Sequence, residues 1–141
     1  MEQEQKKSPV EIVQKLIAIH TTRKEVSERI AKNNASNQLQ ERSKSVAAQS
    51  DRFIKALLNE LSQFGDAVQS EVNREDEFHE IWDKSLSNID TMDTSLLSNS
   101  FEQSEKSLIN IYSQIIDMYQ DLPVTLNDLL LTQFKELKQA L

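Results

Sequence analysis

The chain holds no cysteine, one glycine and two prolines in 141 residues. Without Cys there can be no disulfide framework, no thiolate metal site and no thiol nucleophile. A single Gly cannot supply a glycine-rich phosphate loop or a Gly-x-Ser-x-Gly elbow. Sheet-rich folds need frequent tight turns, and so little Gly and Pro leaves few of them, so the fold class reads as all-α. Apolar runs such as Leu129-Leu130-Leu131 fall far short of a membrane span. Positive charge is also in the minority, with 16 Lys and Arg against 23 Asp and Glu and a net charge of −7. Such a chain repels nucleic acid phosphates and anionic lipid, so the expected partner is a second copy or another protein, with no nucleic acid and no membrane. Met1 to Ser8 is polar and lacks the apolar centre of a signal peptide. It reads as a flexible tail (1–8) ahead of one helical domain (9–141) in a cytoplasmic protein.

What the chain has in quantity is apolar residues at intervals of three and four. The first helix is expected to open at Ser8, with Pro9 in its first turn and Glu11 three residues after the cap. Its stripe is Ile12, Leu16, Ile19, Arg23, Val26, Ile30. Short polar side chains at 33–37 break it. A second helix, about Asn37 to Phe64, carries Leu39, Ser43, Val46, Ser50, Phe53, Leu57 and Leu61, and Gly65 stands where a left-handed C′ residue belongs. These two read as a long antiparallel hairpin. A shorter helix, about Asp76 to Asn88, follows a long connection. A fourth runs from a cap at Asp93 or Thr94 through Leu97, Phe101, Ser104, Leu108, Ile111, Ile115 and Met118 to Leu122, before Pro123. A last helix, about Val124 to Leu141, carries Leu126, Leu130, Gln133 and Leu137.

Four stripes are interrupted near their midpoints, at Arg23, Ser50, Ser104 and Gln133. In an antiparallel arrangement those midpoints share a level, so a polar core layer is expected, with Gln49 and Glu105 beside it. A buried Arg needs a carboxylate partner. Glu105 is the expected one and Glu102 the second choice.

Metal chemistry can be judged on ligand type. Di-iron helical bundles use a Glu from each of two helices and Glu-x-x-His from each of the other two. The chain has two histidines, His20 and His79; Ile17 and Asp76 stand three residues before them. A lone His on a mixed face reads as an ordinary surface or packing histidine. The acidic run Asp76, Glu77, Glu80 beside His79 reads as solvated and favoured by the helix dipole. No metal ligand, catalytic residue or cofactor is therefore expected. Phe78, His79 and Trp82 cluster on the short helix as a cap on the core, or as a candidate contact surface.

Five short patterns occur in order. Arg23, Glu25 and Glu28 form Arg-x-Glu-x-x-Glu; Phe64-Gly65 ends the second helix; His79 and Trp82 form His-x-x-Trp; Glu102 and Glu105 form Glu-x-x-Glu; Gln133-Phe134 is a Gln-aromatic pair. In this order and spacing, from about Leu16 to Lys138, the chain resembles an uncharacterised bacterial family of four-helix-bundle proteins grouped with the ferritin-like superfamily. The resemblance implies a ferritin-like four-helix bundle with a short crossover helix between its two helical pairs, and it brings no activity with it. The superfamily's metal ligands would fall near Glu25 and Glu105, and matching Glu-x-x-His elements on the second and last helices are missing. The expected role is non-enzymatic: a bundle that self-associates or binds a partner, with stress as the context suggested by superfamily analogy. The rivals are a di-metal iron or manganese oxidase or metal-storage protein with a non-standard ligand set, and an extended coiled-coil adaptor.

Overall fold

A computed structural model describes residues 8–32, 36–64 and 75–140. Among these the secondary structure is helical throughout, with no strand. The helices are α1 (Pro9–Lys32), α2 (Asn37–Ser62), α3 (Glu77–Asp83), α4 (Thr94–Met118) and α5 (Val124–Ala140), with a 3-10 segment (Leu86–Thr91) between α3 and α4. Among the described residues, no helix is long and apolar enough to cross a membrane.

Local chemistry sets most of the ends. Ser8 and Glu11 form a reciprocal capping box on α1: the Glu11 N–H donates to Ser8 Oγ at 3.2 Å and the Ser8 N–H donates to Glu11 Oε1 at 2.9 Å. Ser8 is thus the cap of α1 and not the last residue of a loose tail; residues 1–7 lie outside the described ones, as does Gly65. Ser36 caps α2 through the Leu39 N–H, Asp76 caps α3 through the His79 N–H, and Asp93 caps α4 through Ser95 and Leu96.

Two boundaries depart from expectation. The short helix stops at Asp83 instead of Asn88; the chain continues as a 3-10 segment broken at Asn88, whose φ of −126° is non-helical. The fourth helix stops at Met118, four residues before Leu122. A proline disfavours helix only at the residue before it, so Pro123 sets an outer limit. The turn to α5 needs more room: the Pro123 carbonyl already accepts the first helical bond of α5 from Asn127, and Tyr119 has left helical geometry.

Each long helix lays its stripe into one core. Leu16, Ile19 and Ile30 of α1, Leu57 of α2, Leu97 and Leu108 of α4, and Leu126 and Leu130 of α5 are all buried. Each contributes about 1.5–3 kcal/mol. Residue pairings fix the directions. His20 and Arg23 of α1 meet Ser50 and Gln49 of α2, and meet Tyr112 and Glu105 of α4. Arg52 and Glu60 of α2 meet Glu136 and Thr125 of α5. Neighbours in all of these pairs run antiparallel. α2 therefore ends at the level where α1 begins, whereas α4 begins at the level where α1 ends.

The connection from 63 to 93 must climb that distance. Its described part climbs along α1, held at three points: Lys15 to Asp76 at 2.8 Å, Thr22 to His79 at 3.0 Å and Arg29 to Asp90 at 3.5 Å. Positions 15, 22 and 29 are seven apart, two helical turns each, so they form one line on α1. Phe78, Trp82 and Ile89 are buried beneath this strap.

Candidate functional site

The candidate site is the polar layer where α1, α2, α4 and α5 share a level. Arg23 is 1% exposed and Glu105 5%. Arg23 Nε donates to Glu105 Oε2 at 2.9 Å and Nη2 donates to Oε1 at 2.6 Å, a two-pronged, charge-assisted pair. Two more guanidinium donors reach α2, with Nη2 on Gln49 Oε1 at 2.8 Å and Nη1 on Ser50 Oγ at 3.0 Å. A buried Arg is tolerable because two further acceptors supplement its counter-charge.

The layer continues through His20, one turn before Arg23 on the same face. His20 Nδ1 is 3.0 Å from Ser50 Oγ and Nε2 is 2.9 Å from the Tyr112 hydroxyl. Tyr112 donates to Gln133 Oε1 at 2.7 Å, and Gln133 Nε2 donates to the Phe53 carbonyl at 3.5 Å. Donor bookkeeping then assigns every proton. Tyr112 spends its proton on Gln133, so it accepts from His20 Nε2–H. His20 Nδ1 therefore carries no proton and accepts from Ser50, which itself accepts from Arg23. The result is a one-way chain of hydrogen bonds from the Arg23–Glu105 pair across the core to the α2 backbone. It requires His20 to be neutral. Burial first, and the Arg23 charge second, hold its pKa well below 6.5. Burial also pushes the Tyr112 hydroxyl up, only partly offset by Arg23, so Tyr112 stays a donor.

Of the residues expected at this level, Arg23, Ser50, Glu105, Gln133 and Gln49 are joined. Ser104 is buried at the same level, but its hydroxyl donates to the Phe101 carbonyl of its own helix at 2.8 Å. Glu102, the second-choice partner, is exposed. Two members of the layer were not expected. His20 is fully buried and bonded at both ring nitrogens, not an ordinary surface or packing histidine. Tyr112 takes the core position that the stripe assigned to Ile111 and Ile115, which are only partly buried. Both had a signal. His20 lies three residues before Arg23, and Tyr112 four after Leu108, the spacings that put residues on one helical face.

A second polar cluster lies under the strap. Asp76 Oδ2 accepts from His79 Nδ1 at 2.8 Å, and His79 Nε2 faces Thr22 Oγ1 at 3.0 Å. Burial alone would raise the Asp76 carboxyl. Hydrogen bonds from the His79 ring, Lys15 and the His79 backbone N–H outweigh it and lower the pKa to about 2. The order acid, imidazole, hydroxyl resembles a nucleophile relay, but Thr22 and His79 are both buried. The cluster's bonds tie α3 to α1, as a latch does. Phe78, His79 and Trp82 are all at most 1% exposed. Their burial agrees with a cap on the core, and they do not present a contact surface to solvent.

The donor set suits a cation poorly. Both Glu105 oxygens are held by Arg23, and Glu25 is exposed on the far side of α1. Among the described residues, no three His, Asp or Glu side chains are grouped to hold a metal ion. No family model matches the chain, and neither a curated protein nor a solved structure is significantly similar to it.

Proposed function

We propose that the protein is a non-enzymatic, cytoplasmic four-helix bundle of ferritin-like connectivity that acts through its surface, by self-association or by binding a protein partner. In this reading the Arg23–Glu105 pair stands where a related bundle would hold a metal. The single observation that carries it is the two-pronged guanidinium on Glu105: a carboxylate already neutralised by a buried cation, with that fixed positive charge beside it, is a poor ligand for a metal ion. Further support comes from the satisfied state of the interior. Ser50, His20, Tyr112 and Gln133 each spend their polar atoms on one another or on the backbone. No base or nucleophile among them is left for chemistry. The antiparallel neighbours and the long strap support the ferritin-like connectivity.

Elemental analysis of protein purified from medium supplemented with iron or manganese tests the reading. The expected result is far below one metal per chain. Near-stoichiometric metal that is lost in Glu105→Ala overturns it in favour of a di-metal oxidase or storage protein.

A further inference from the structure

The net charge of −7 hides a strong segregation. Residues 8–64, which form the α1–α2 hairpin, carry nine Lys and Arg against six Asp and Glu. Residues 75–140 carry four against thirteen, and 75–93, the strap, carry seven acids and a single Lys. The hairpin is therefore net basic and the strap net acidic, the two sides meeting where Lys15 and Arg29 of α1 pair with Asp76 and Asp90. The basic side is not smooth. Between α1 and α2 on the outer face lies a groove of about 610 Å³. Ala31, Ala47 and Ala48 lie along it, and Lys24, Lys32 and Lys44 stand around it with Glu28 and Asp51. Asp51 is occupied by Lys24 at 3.0 Å. Lys44 pairs with the exposed Glu41, at 3.6 Å, a pairing of little worth. Lys32 is exposed at the last turn of α1. On the acidic side the exposed Glu77 and Glu80 are three residues apart, on one face of α3.

We infer that the lysine-rimmed groove of the α1–α2 hairpin receives the acidic outer face of α3 from a second copy of this chain. The inference rests on the self-association reading above and names its contact. The groove and the ridge are different surfaces, so the contact is heterologous: each copy has one of each, and assembly extends head to tail, as a ring where the rotation closes and as an open filament where it does not. The small side chains along the groove let a helix approach. Opposite charge steers the approach and sets the register, while like charge keeps groove from groove and ridge from ridge. Attraction between exposed charges is screened beyond about 8 Å at physiological ionic strength, so the assembly dissolves in salt.

The test is size-exclusion chromatography with light scattering, at low and high salt, on three proteins whose helical content is checked by circular dichroism. Wild-type chain is expected above its 16.2 kDa monomer mass at low salt and at that mass at high salt. Lys32→Glu/Lys44→Glu and Glu77→Lys/Glu80→Lys each spoil one surface, and each alone is expected to associate at least about tenfold more weakly. Mixed in equal amounts, they are expected to recover assembly above the monomer mass, because the intact groove meets the intact ridge and the reversed groove meets the reversed ridge. A salt-resistant wild-type assembly, or one that either double variant leaves unchanged, overturns this contact and leaves self-association standing. A mixture that stays monomeric overturns the contact as well. A wild-type chain that is monomeric at every salt concentration overturns both the contact and self-association.

Discussion

Replacing Arg23 by Met should be among the most damaging single changes available in this protein. Arg23 is 1% exposed and donates four hydrogen bonds, two of them to the Glu105 carboxylate. Met fills much of the same space, so the loss is electrostatic. It leaves a carboxylate at 5% exposure with neither oxygen paired. Removing one partner of a buried pair costs about 3–5 kcal/mol. For a chain of this size that is a fall in melting temperature of roughly 10–15 °C. Since a domain is stable by only about 5–15 kcal/mol in total, the variant should sit near the edge of folding. Glu105→Leu should cost a similar amount, because it strands the guanidinium. The double variant Arg23→Met/Glu105→Leu should return to within about 1.5 kcal/mol of wild type, since both costly charges leave together. Ser50 keeps His20 as an acceptor, and Gln49 lies close enough to the surface to turn to water. Urea unfolding followed by circular dichroism on all four proteins measures the cycle. Additive single and double effects, or single losses below about 1 kcal/mol, would refute the pairing argument.

Other outcomes follow from the same bonds. His20 stays neutral in the folded chain well below 6.5, while the unfolded chain binds a proton there. Its contribution is thus complete above that pH and is lost as pH falls below it, at up to about 1.4 kcal/mol per pH unit. Urea midpoints between pH 8 and pH 5 should show this slope, and His20→Gln should flatten it. Ser43 carries a buried hydroxyl without a hydrogen-bond partner. Ser43→Ala should therefore leave the melting temperature unchanged or raise it, by up to about 1 kcal/mol in stability. Asp76→Asn removes the charge that holds both Lys15 and His79. It should loosen the strap by about 1–2 kcal/mol through loss of the charge-assisted bonds, since Asn can still cap α3. The emission of Trp82, the only tryptophan, should shift to the red at lower urea than the helical signal changes. If the two signals move together, the strap is not a separately loosening unit.

The two charged partners were legible because burial of a charge obeys a strict rule. An Arg inside an apolar stripe demands a carboxylate on a facing helix, and only a few positions offer one at that level. Ser50, Gln49 and Gln133 were legible for the same reason of level. Ser104 shows the limit of that argument. Its position was right, but a serine in a helix can satisfy itself on a carbonyl of the preceding turn, and nothing local decides between that and a neighbour. His20 and Tyr112 stood at spacings that mark one helical face, yet each is equally at home on a half-exposed face. Only the approach of α1 to α4 buries them and makes them partners. Phe78 and Trp82 were ambiguous in the same way between cap and contact surface.

By itself, the sequence determined the helical class, the caps of α1 and α4 and the apolar stripes, because these depend on interactions within about four residues. It also determined that Arg23 must find a carboxylate. Tertiary structure alone decided where α3 and α4 end, which side chains complete the hydrogen-bond chain, and that Phe78 and Trp82 face the core. Those outcomes depend on which helices become neighbours, and that is a property of the packed core as a whole.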